Sequence, residues 1–291
     1  MALLSSALLI AALVVLLGST VLSLGLVAGG LLRQDRLAVT DGGELQAAPT
    51  RPQWRTIAHA GALSALALLL GALLARTIAT GHAPWSNLHE FSAAFAAGVI
   101  AAYALLERRY PIRGLAPMAT LVAAGLTGLA LSFDDRIDPL VPALQQPLLL
   151  TVHVGTAVVA YAISAVAFLA AAGELIQRRT GDAIGALPEA AVCRAVAHRS
   201  VLLAFPILTV AIALGSVWAN LAWRSYWSND PKELAAAATW LVYGTYLHAA
   251  GRRDRWGAAA PWLILLGFGG VLFTYLGASL LFVGEHSYAA P

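Results

Sequence analysis

The sequence is poor in cysteine, in lysine and in charge of either sign. Its 291 residues include one cysteine, Cys193, which excludes an internal disulfide and a CxxC thiol centre. Only 11% of the residues are charged, whereas soluble domains carry about a quarter. A chain of this length with so few charges cannot cover a water-facing surface. The sequence therefore predicts an integral membrane protein that does not supply reducing thiols itself.

Long apolar runs take the place of the missing charges. Hydrophobic residues make up 59% of the chain, and eight stretches are long enough to cross a bilayer as helices. Their approximate cores are 4–31, 56–79, 91–108, 114–132, 148–173, 200–221, 233–250 and 260–283. The first lacks the basic leader of a signal peptide and exceeds the usual apolar length, so we expect it to be retained. The predicted fold is an all-α polytopic bundle of about eight transmembrane helices, a single domain over residues 1–291.

The basic residues indicate how the bundle is oriented. Fourteen of the eighteen fall on alternate loops, which the positive-inside bias assigns to the cytoplasm. These are Arg33, Arg36, Arg51, Arg55, Arg108, Arg109, Arg113, Arg178, Arg179, Arg194, Arg199, Arg252, Arg253 and Arg255. The other four are Arg76, Arg136, Arg224 and Lys232. Both termini are thus expected on the extracytoplasmic side, and the net charge of +3 reflects this bias rather than nucleic-acid binding.

The only lysine, Lys232, lies in an aromatic stretch between two apolar runs. Residues 215–233 read GSVWANLAWRSYWSNDPKE and are predicted to face outward. They hold four large aromatic residues, Trp218, Trp223, Tyr226 and Trp227. An aromatic, mildly charged patch between membrane helices suits a flat and partly apolar ligand.

Two of the seven histidines are predicted to share the depth of this stretch. His153 lies near the outer end of the fifth span, and His286 follows the eighth. Imidazoles from two helices beside indole rings predict axial ligation of a haem iron, with Arg224 and Lys232 as partners for its propionates. Zinc is a poorer match because its protein sites use three or four ligands.

Simpler interpretations of these residues stay open. Histidines at helix ends are often interfacial polar residues, and boundary tryptophans often anchor a chain in the membrane interface. We interpret Trp54, Trp85, Trp256 and Trp262 as such anchors. His248, which ends the seventh span, is either functional or interfacial. The sequence assigns no role to His59, His82 and His89.

Residues 218–233, WANLAWRSYWSNDPKE, resemble the tryptophan-rich "WWD" signature of membrane haem-handling proteins for cytochrome c maturation. In length and predicted spans the chain is similar to the CcsA/ResC type of that family. Four further stretches are similar to it: GHAPWSNLHEF (81–91), LLLTVHVGTAVVAY (148–161), TWLVYGTYLHA (239–249) and LFTYLGASLLFVGEHSY (272–288). The resemblance covers roughly residues 56–291.

The resemblance implies a set of roles. His153 and His286 would be axial ligands of an outward-facing haem b, held transiently as a substrate, and His248 would serve a second haem site within the membrane. The platform would comprise Trp218, Trp223, Trp227 and Asp230. The implied activity is thioether formation between haem vinyl groups and the CxxCH thiols of apocytochrome c, in a holocytochrome c synthase. The implied partners are a CcsB/ResB-type subunit, apocytochrome c and a thioredoxin-like thiol reductant, in a bacterial plasma membrane or a thylakoid membrane.

Two positions depart from the family pattern. Asn229 stands where a tryptophan is usual, and Arg224 stands where a small residue, often glycine, is common. The missing ring leaves open a second hypothesis, a non-catalytic assembly factor or shuttle that binds haem without attaching it. A third hypothesis, a polar-solute transporter, is disfavoured because the spans carry few acids and show no inverted repeat.

Overall fold

The computed structural model describes residues 1–28, 37–39, 45–47, 52–137, 139–140, 144–145, 147–251 and 257–286. Seven residues named in the sequence predictions lie outside these ranges. They are Arg33, Arg36, Arg51, Arg252, Arg253, Arg255 and Trp256.

Long helices make up most of the described chain, which confirms the predicted all-α bundle. They are α1 (Ala2–Ala28), α2 (Pro52–Thr80), α3 (Leu88–Glu107), α4 (Ala116–Ser132), α5 (Pro147–Thr180), α6 (Ala190–Trp223), α7 (Pro231–Ala250) and α8 (Ala260–Leu272). Helix α8 continues through a π-helical turn (Phe273–Gly277) into α9 (Ala278–Leu281). A short 3₁₀ turn (Arg113–Leu115) leads into α4. The sequence did not predict the antiparallel hairpin of β1 (Leu37–Val39) and β2 (Leu45–Ala47), in which Leu37 pairs with Ala47.

Seven of these helical segments are long and apolar enough to cross a membrane, namely α1 to α6 and the rod formed by α8 and α9. The predicted seventh span, α7, is more polar because it carries Lys232, Glu233 and His248. Its 20 residues correspond to about 30 Å of helix, the thickness of a bilayer core. With α7 included, the bundle has the eight membrane-spanning helices that the apolar pattern predicts.

The loops gather at two ends of the bundle. At one, which we call the cavity end, the Ser6 hydroxyl donates to Asp135 at 3.0 Å and His286 contacts Asp230. At the other, the arginine end, Arg199 lies 5.2 Å from the ring of Tyr110. The start of α1 and residue 286 therefore share one end, in agreement with an even number of crossings.

Helix α5 is the centre of the packing and contacts α3, α6 and α8. These contacts are made through small side chains. Moving apolar surface from lipid to a protein interface yields little free energy, so the helices are held together by van der Waals contacts, which small side chains allow to be close. Five alanines of α5 are almost fully buried: Ala160, Ala165, Ala167, Ala170 and Ala171. Helices α1, α2 and α4 pack beside α3 on one side, and α6, α7 and α8 pack on the other.

Two helices begin at the cavity end with a side-chain cap. Asn87 caps α3 by accepting from the backbone N–H of Glu90 at 2.9 Å. Asp230 caps α7 by accepting from the N–H of Lys232 at 2.8 Å, and Glu233 bonds back to the N–H of Asp230 at 3.2 Å. Each cap satisfies helix N–H groups and fixes the loop that precedes it.

Candidate functional site

A cavity with about 1160 Å³ of empty space, part of it open to solvent, lies at the cavity end. Six of the residues singled out from the sequence line it: His153, Trp218, Tyr226, Trp227, Lys232 and His286. The structure thus brings together side chains from α5, α6, α7 and the segment after α9.

His153 is held on α5 by a close approach to α6. Its Nδ1 lies 2.9 Å from the carbonyl oxygen of Ala211, which can only accept, so Nδ1 carries the proton and donates. The neutral ring then presents an unprotonated Nε2. Gly215 makes the contact possible, because a Cβ there would lie 2.7 Å from Cε1 of His153.

His286 is fixed by a carboxylate instead of a carbonyl. Its Nδ1 donates to Oδ1 of Asp230 at 2.8 Å, and its backbone N–H donates to Oδ2 at 3.3 Å. Gly284 allows the chain to pass this closely, since a Cβ there would lie 2.3 Å from Oδ2 of Asp230. Here too the neutral ring keeps Nε2 as its unprotonated nitrogen.

Asp230 therefore supports both the start of α7 and the ring of His286. Burial alone would raise the pKa of this carboxyl, but the hydrogen bonds from His286 and from the Lys232 backbone outweigh burial and hold the pKa at about 2. The carboxylate is ionised at neutral pH and accepts without competition from a proton. Its contacts are those of a positioning group, whereas the family resemblance implied a place in the aromatic platform.

Trp218 contacts both imidazoles. Its ring centroid lies 6.0 Å from that of His153, nearly parallel at 15°, and 5.6 Å from that of His286. Trp223 packs edge-on against Trp218 at 4.9 Å and against His286 at 5.1 Å. Trp218 is only 1% exposed, so it forms an inner wall between the histidines rather than a surface platform.

Trp227 is the exposed member of the aromatic set, with 41% of its surface accessible. Its indole N–H donates to Oδ1 of Asn229 at 2.9 Å. Asn229 has φ +59°, in the left-handed region that asparagine tolerates better than most residues. The residue that departs from the family pattern is therefore also the one that holds Trp227.

Two predicted site residues lie away from the cavity. Arg224 is exposed and ends α6 in the left-handed region, at φ +64°, where a glycine is usual. His248 is exposed on the last turn of α7, toward the arginine end. The remaining four histidines have local partners. His59 contacts Glu107 at 2.9 Å, His82 contacts the Ala83 carbonyl at 2.9 Å, His89 contacts the Ala130 carbonyl at 2.8 Å and His198 contacts the Tyr246 hydroxyl at 3.1 Å.

Sequence reasoning missed several cavity residues. Trp85, interpreted as an interfacial anchor, lines the cavity instead. Phe91, Tyr161 and Tyr275 also line it, with Phe91 stacked on Tyr275 at 5.2 Å. Tyr275 lies in the π-helical turn, a distortion frequent at functional sites, and contacts the hydroxyl of Ser92. An aromatic in an apolar helix gives no signal of this placement.

Comparison with known proteins identifies the family. Residues 85–286 match the family described as Cytochrome C assembly protein. The chain is 33% identical to the cytochrome c biogenesis protein CcsA of Synechococcus sp. (strain RCC307), over 94% of this chain and 96% of that protein. It is 31% identical to CcsA of Synechocystis sp., over 81% of this chain and 89% of that protein.

A solved structure has the same fold. The chain superimposes on the cytochrome c haem lyase CcmF with a TM-score of 0.66 and 19% identity, over 93% of this chain. It spans 46% of that longer protein, so the likeness is one of fold. The sequence matches and the fold agree with the family that the tryptophan-rich stretch indicated, and the chain belongs to the cytochrome c assembly protein family as a CcsA-type member.

Proposed function

We propose that this protein holds haem b at the extracytoplasmic face of the membrane and presents it for covalent attachment to apocytochrome c. The observation that carries the proposal is the pair His153 and His286. Both rings line one cavity, and each is oriented by a hydrogen bond from Nδ1 to a fixed acceptor. Histidines that bind metals usually have their second nitrogen held in this way, by a carbonyl or a carboxylate.

The donors and walls of the cavity fit haem. Two neutral imidazoles suit the axial positions of a haem iron, and they fall short of the three or four ligands of a protein zinc site. Trp218, Phe91 and Tyr275 give the cavity the flat apolar surfaces that a porphyrin needs. Lys232 lines the same cavity and supplies a cation for a propionate.

The chain contributes positioning to the chemistry. Haem supplies the vinyl groups to which the thiols of a CxxCH sequence add, forming thioether bonds. His153, held on helix α5, and His286, held by the Asp230 carboxylate, would together fix the plane of the porphyrin. The exposed Tyr226 and Trp227 mark the open side, where we place the docking of apocytochrome c. Cys193 is buried, so we assign thiol reduction to a separate thioredoxin-like protein.

We further propose that the chain works with a CcsB/ResB-type membrane subunit and moves haem outward. His248 supports this part of the proposal, because it is exposed near the arginine end and far along α7 from the cavity. Leu241 on α7 is 60% exposed and Leu202 on α6 is 49% exposed, an apolar surface that lipid or a partner helix can cover. A ligand to a second haem would then come from the partner.

The test begins with haem content. The protein is co-produced with a CcsB/ResB-type partner, purified in mild detergent and examined by absorption spectroscopy. We expect a Soret band with sharp reduced-state bands, and loss of most of this signal in the His153→Ala, His286→Ala double variant. A haem-free wild-type complex would reject the proposal, as would a double variant with an unchanged spectrum. His82→Ala, outside the cavity, is the matched control.

The second candidate is a haem-binding assembly factor that performs no attachment. Asn229 favours it, because one ring of the family platform is absent. Addition of a reporter apocytochrome to the co-production, followed by a stain for covalent haem, separates the two functions. Covalent haem that depends on His286 supports the synthase. Haem bound by the protein with no covalent product supports the assembly factor.

A further inference from the structure

Trp85 carries a buried hydrogen-bond donor with no acceptor. Its Nε1 is inaccessible to solvent and has no hydrogen-bond partner among the described residues, although the residue lines the cavity. Trp227 donates to Asn229 at 2.9 Å and Trp240 donates to Thr209 at 2.8 Å, whereas the Nε1 of Trp223, which does not line the cavity, is also buried without a partner in the described part of the chain. Because an unpaired buried donor costs free energy, such a group calls for a partner that is absent from the protein itself.

The position of Trp85 is fixed by a buried ion pair. Glu90 accepts from the backbone N–H of the next residue, Ser86, at 2.9 Å and from its hydroxyl at 2.7 Å. The other oxygen of Glu90 accepts from Arg76 at 2.8 Å, and both side chains are at most 3% exposed. Arg76 also donates to the Asp135 carbonyl at 2.6 Å. The loop that carries Trp85 is thus held on both sides, and the indole is set in place before any ligand arrives.

We propose that Trp85 is a ligand-binding residue of this cavity and that its N–H donates to a carboxylate oxygen of the bound molecule. The inference rests on the proposed function, and under it the acceptor is a propionate. A porphyrin offers no other acceptor, since its nitrogens bind the iron and its remaining substituents are methyl and vinyl groups. Lys232 lines the same cavity and favours an anion there.

The contact gives Trp85 a role that the histidines cannot perform. Two axial ligands fix the plane of the ring but leave it free to rotate about the axis that joins them. A donor at one point of the cavity wall removes that freedom, because it holds the propionate edge toward the loop between α2 and α3. Trp85 is in this sense a residue that selects one orientation of the substrate.

The test compares two iron porphyrins on Trp85→Phe, which keeps an aromatic ring and removes the donor. Haem carries propionates, and iron octaethylporphyrin carries only alkyl groups. We expect haem to bind roughly 10- to 100-fold more weakly to the variant, the loss of one hydrogen bond to a charged acceptor. Iron octaethylporphyrin should bind both proteins equally. Trp262→Phe, on an indole that is 52% exposed on α8, should change neither affinity.

Unfolding of the haem-free protein separates this role from a structural one. Since the N–H has no acceptor in the protein, Trp85→Phe should leave the haem-free unfolding midpoint unchanged or raise it. Equal weakening of both porphyrins would overturn the inference in favour of ring packing, and unchanged haem binding would overturn it outright. If the wild-type protein binds neither porphyrin, the proposed function fails as well.

Discussion

The cavity has two walls built on the same plan from different residues. We call residues 85–90 the α3 wall and residues 227–233 the α7 wall. Each is the capped start of a helix, and in each a glutamate accepts from the N–H and hydroxyl of a serine in the preceding loop: Glu90 from Ser86, and Glu233 from Ser228. Each also carries a tryptophan that lines the cavity.

The walls differ in the side chain that pairs with their buried carboxylate. Glu90 of the α3 wall pairs with Arg76, whose charge is permanent and whose donors are all directed at the protein. Asp230 of the α7 wall pairs with His286, which lines the cavity. The same arrangement of side chains therefore has a different consequence in each wall. On the α3 wall it fixes a loop, and on the α7 wall it orients His286, the proposed iron ligand.

The largest expected effect on stability comes from a substitution that disrupts the α3 wall. Glu90→Gln leaves the charge of Arg76 buried without a counterion, which should lower the free energy of unfolding by about 3–5 kcal/mol. Glu233→Gln on the α7 wall keeps a side chain that can form the capping box, and it should lower the free energy of unfolding by less than about 1 kcal/mol. Chemical denaturation in mild detergent measures both.

Equal losses in those two variants would contradict the distinction between the walls. Asp134→Asn provides the control, because the ion pair of Asp134 with Arg136 is exposed and its loss should leave the unfolding curve unchanged.

The next effect separates the two tasks of the α7 wall. Asp230→Asn keeps a good helix cap but replaces the carboxylate that orients His286. We expect haem affinity to fall by roughly 10- to 100-fold, the usual effect of losing a group that orients a metal ligand. Stability in the absence of haem should change by less than about 1 kcal/mol at about pH 2, where the carboxyl contributes little. Spectroscopic titration with haem gives the affinity, and unchanged binding would show that His286 needs no carboxylate.

A smaller effect follows from the low pKa of Asp230. The pKa is about 2 in the folded protein and 3.8 ordinarily, so folding favours the ionised carboxyl. The resulting stabilisation is full above about pH 4 and is lost as the pH falls through about 2. In unfolding experiments on the haem-free protein, the difference between wild type and Asp230→Asn should therefore grow from pH 2 to pH 4. A constant difference over that range would contradict the ionised contact.

The smallest expected effect comes from a substitution that makes the loops before the two walls more alike. The loop to the α3 wall begins with Gly81 at φ +75°, and the loop to the α7 wall begins with Arg224 at φ +64°. A side chain in this region costs about 1–2 kcal/mol, part of which the flexibility of glycine in the unfolded chain offsets. Arg224→Gly should raise the free energy of unfolding by about 0.5–1 kcal/mol. Arg224→Ala, which keeps the Cβ, should give no gain, and an equal gain from both would rule out backbone strain.

Much of the site was predictable from the sequence, because it depends on depth in the membrane. Apolar runs gave the helices, and the arginines put His153 and His286 at one end, where the structure also has them. Depth in the membrane does not predict which residues of different helices contact one another. The bond between Asp230 and His286 joins residues 56 apart, and Gly215 meets His153 from another helix. Both depend on how helices pack.

Arg76 shows a signal that was available but not used. A charged residue inside an apolar span needs a partner, and Glu90, fourteen residues on, is the nearest acid along the chain. Trp85 gave no comparable signal. A tryptophan near a membrane boundary usually anchors the chain in the interface, and Trp85 differs from such an anchor in its buried N–H without a partner among the residues described and its place in the cavity lining.

The most direct test of the account is the absorption spectrum of the haem-bound complex after removal of one imidazole at a time. His153→Gly and His286→Gly should each lose the spectrum of a haem with two histidine ligands, and added imidazole should restore it by filling the space left. His59→Gly, remote from the cavity, should keep the wild-type spectrum. If both cavity variants retain that spectrum without imidazole, the histidines of the two walls do not bind the iron and the central claim is wrong.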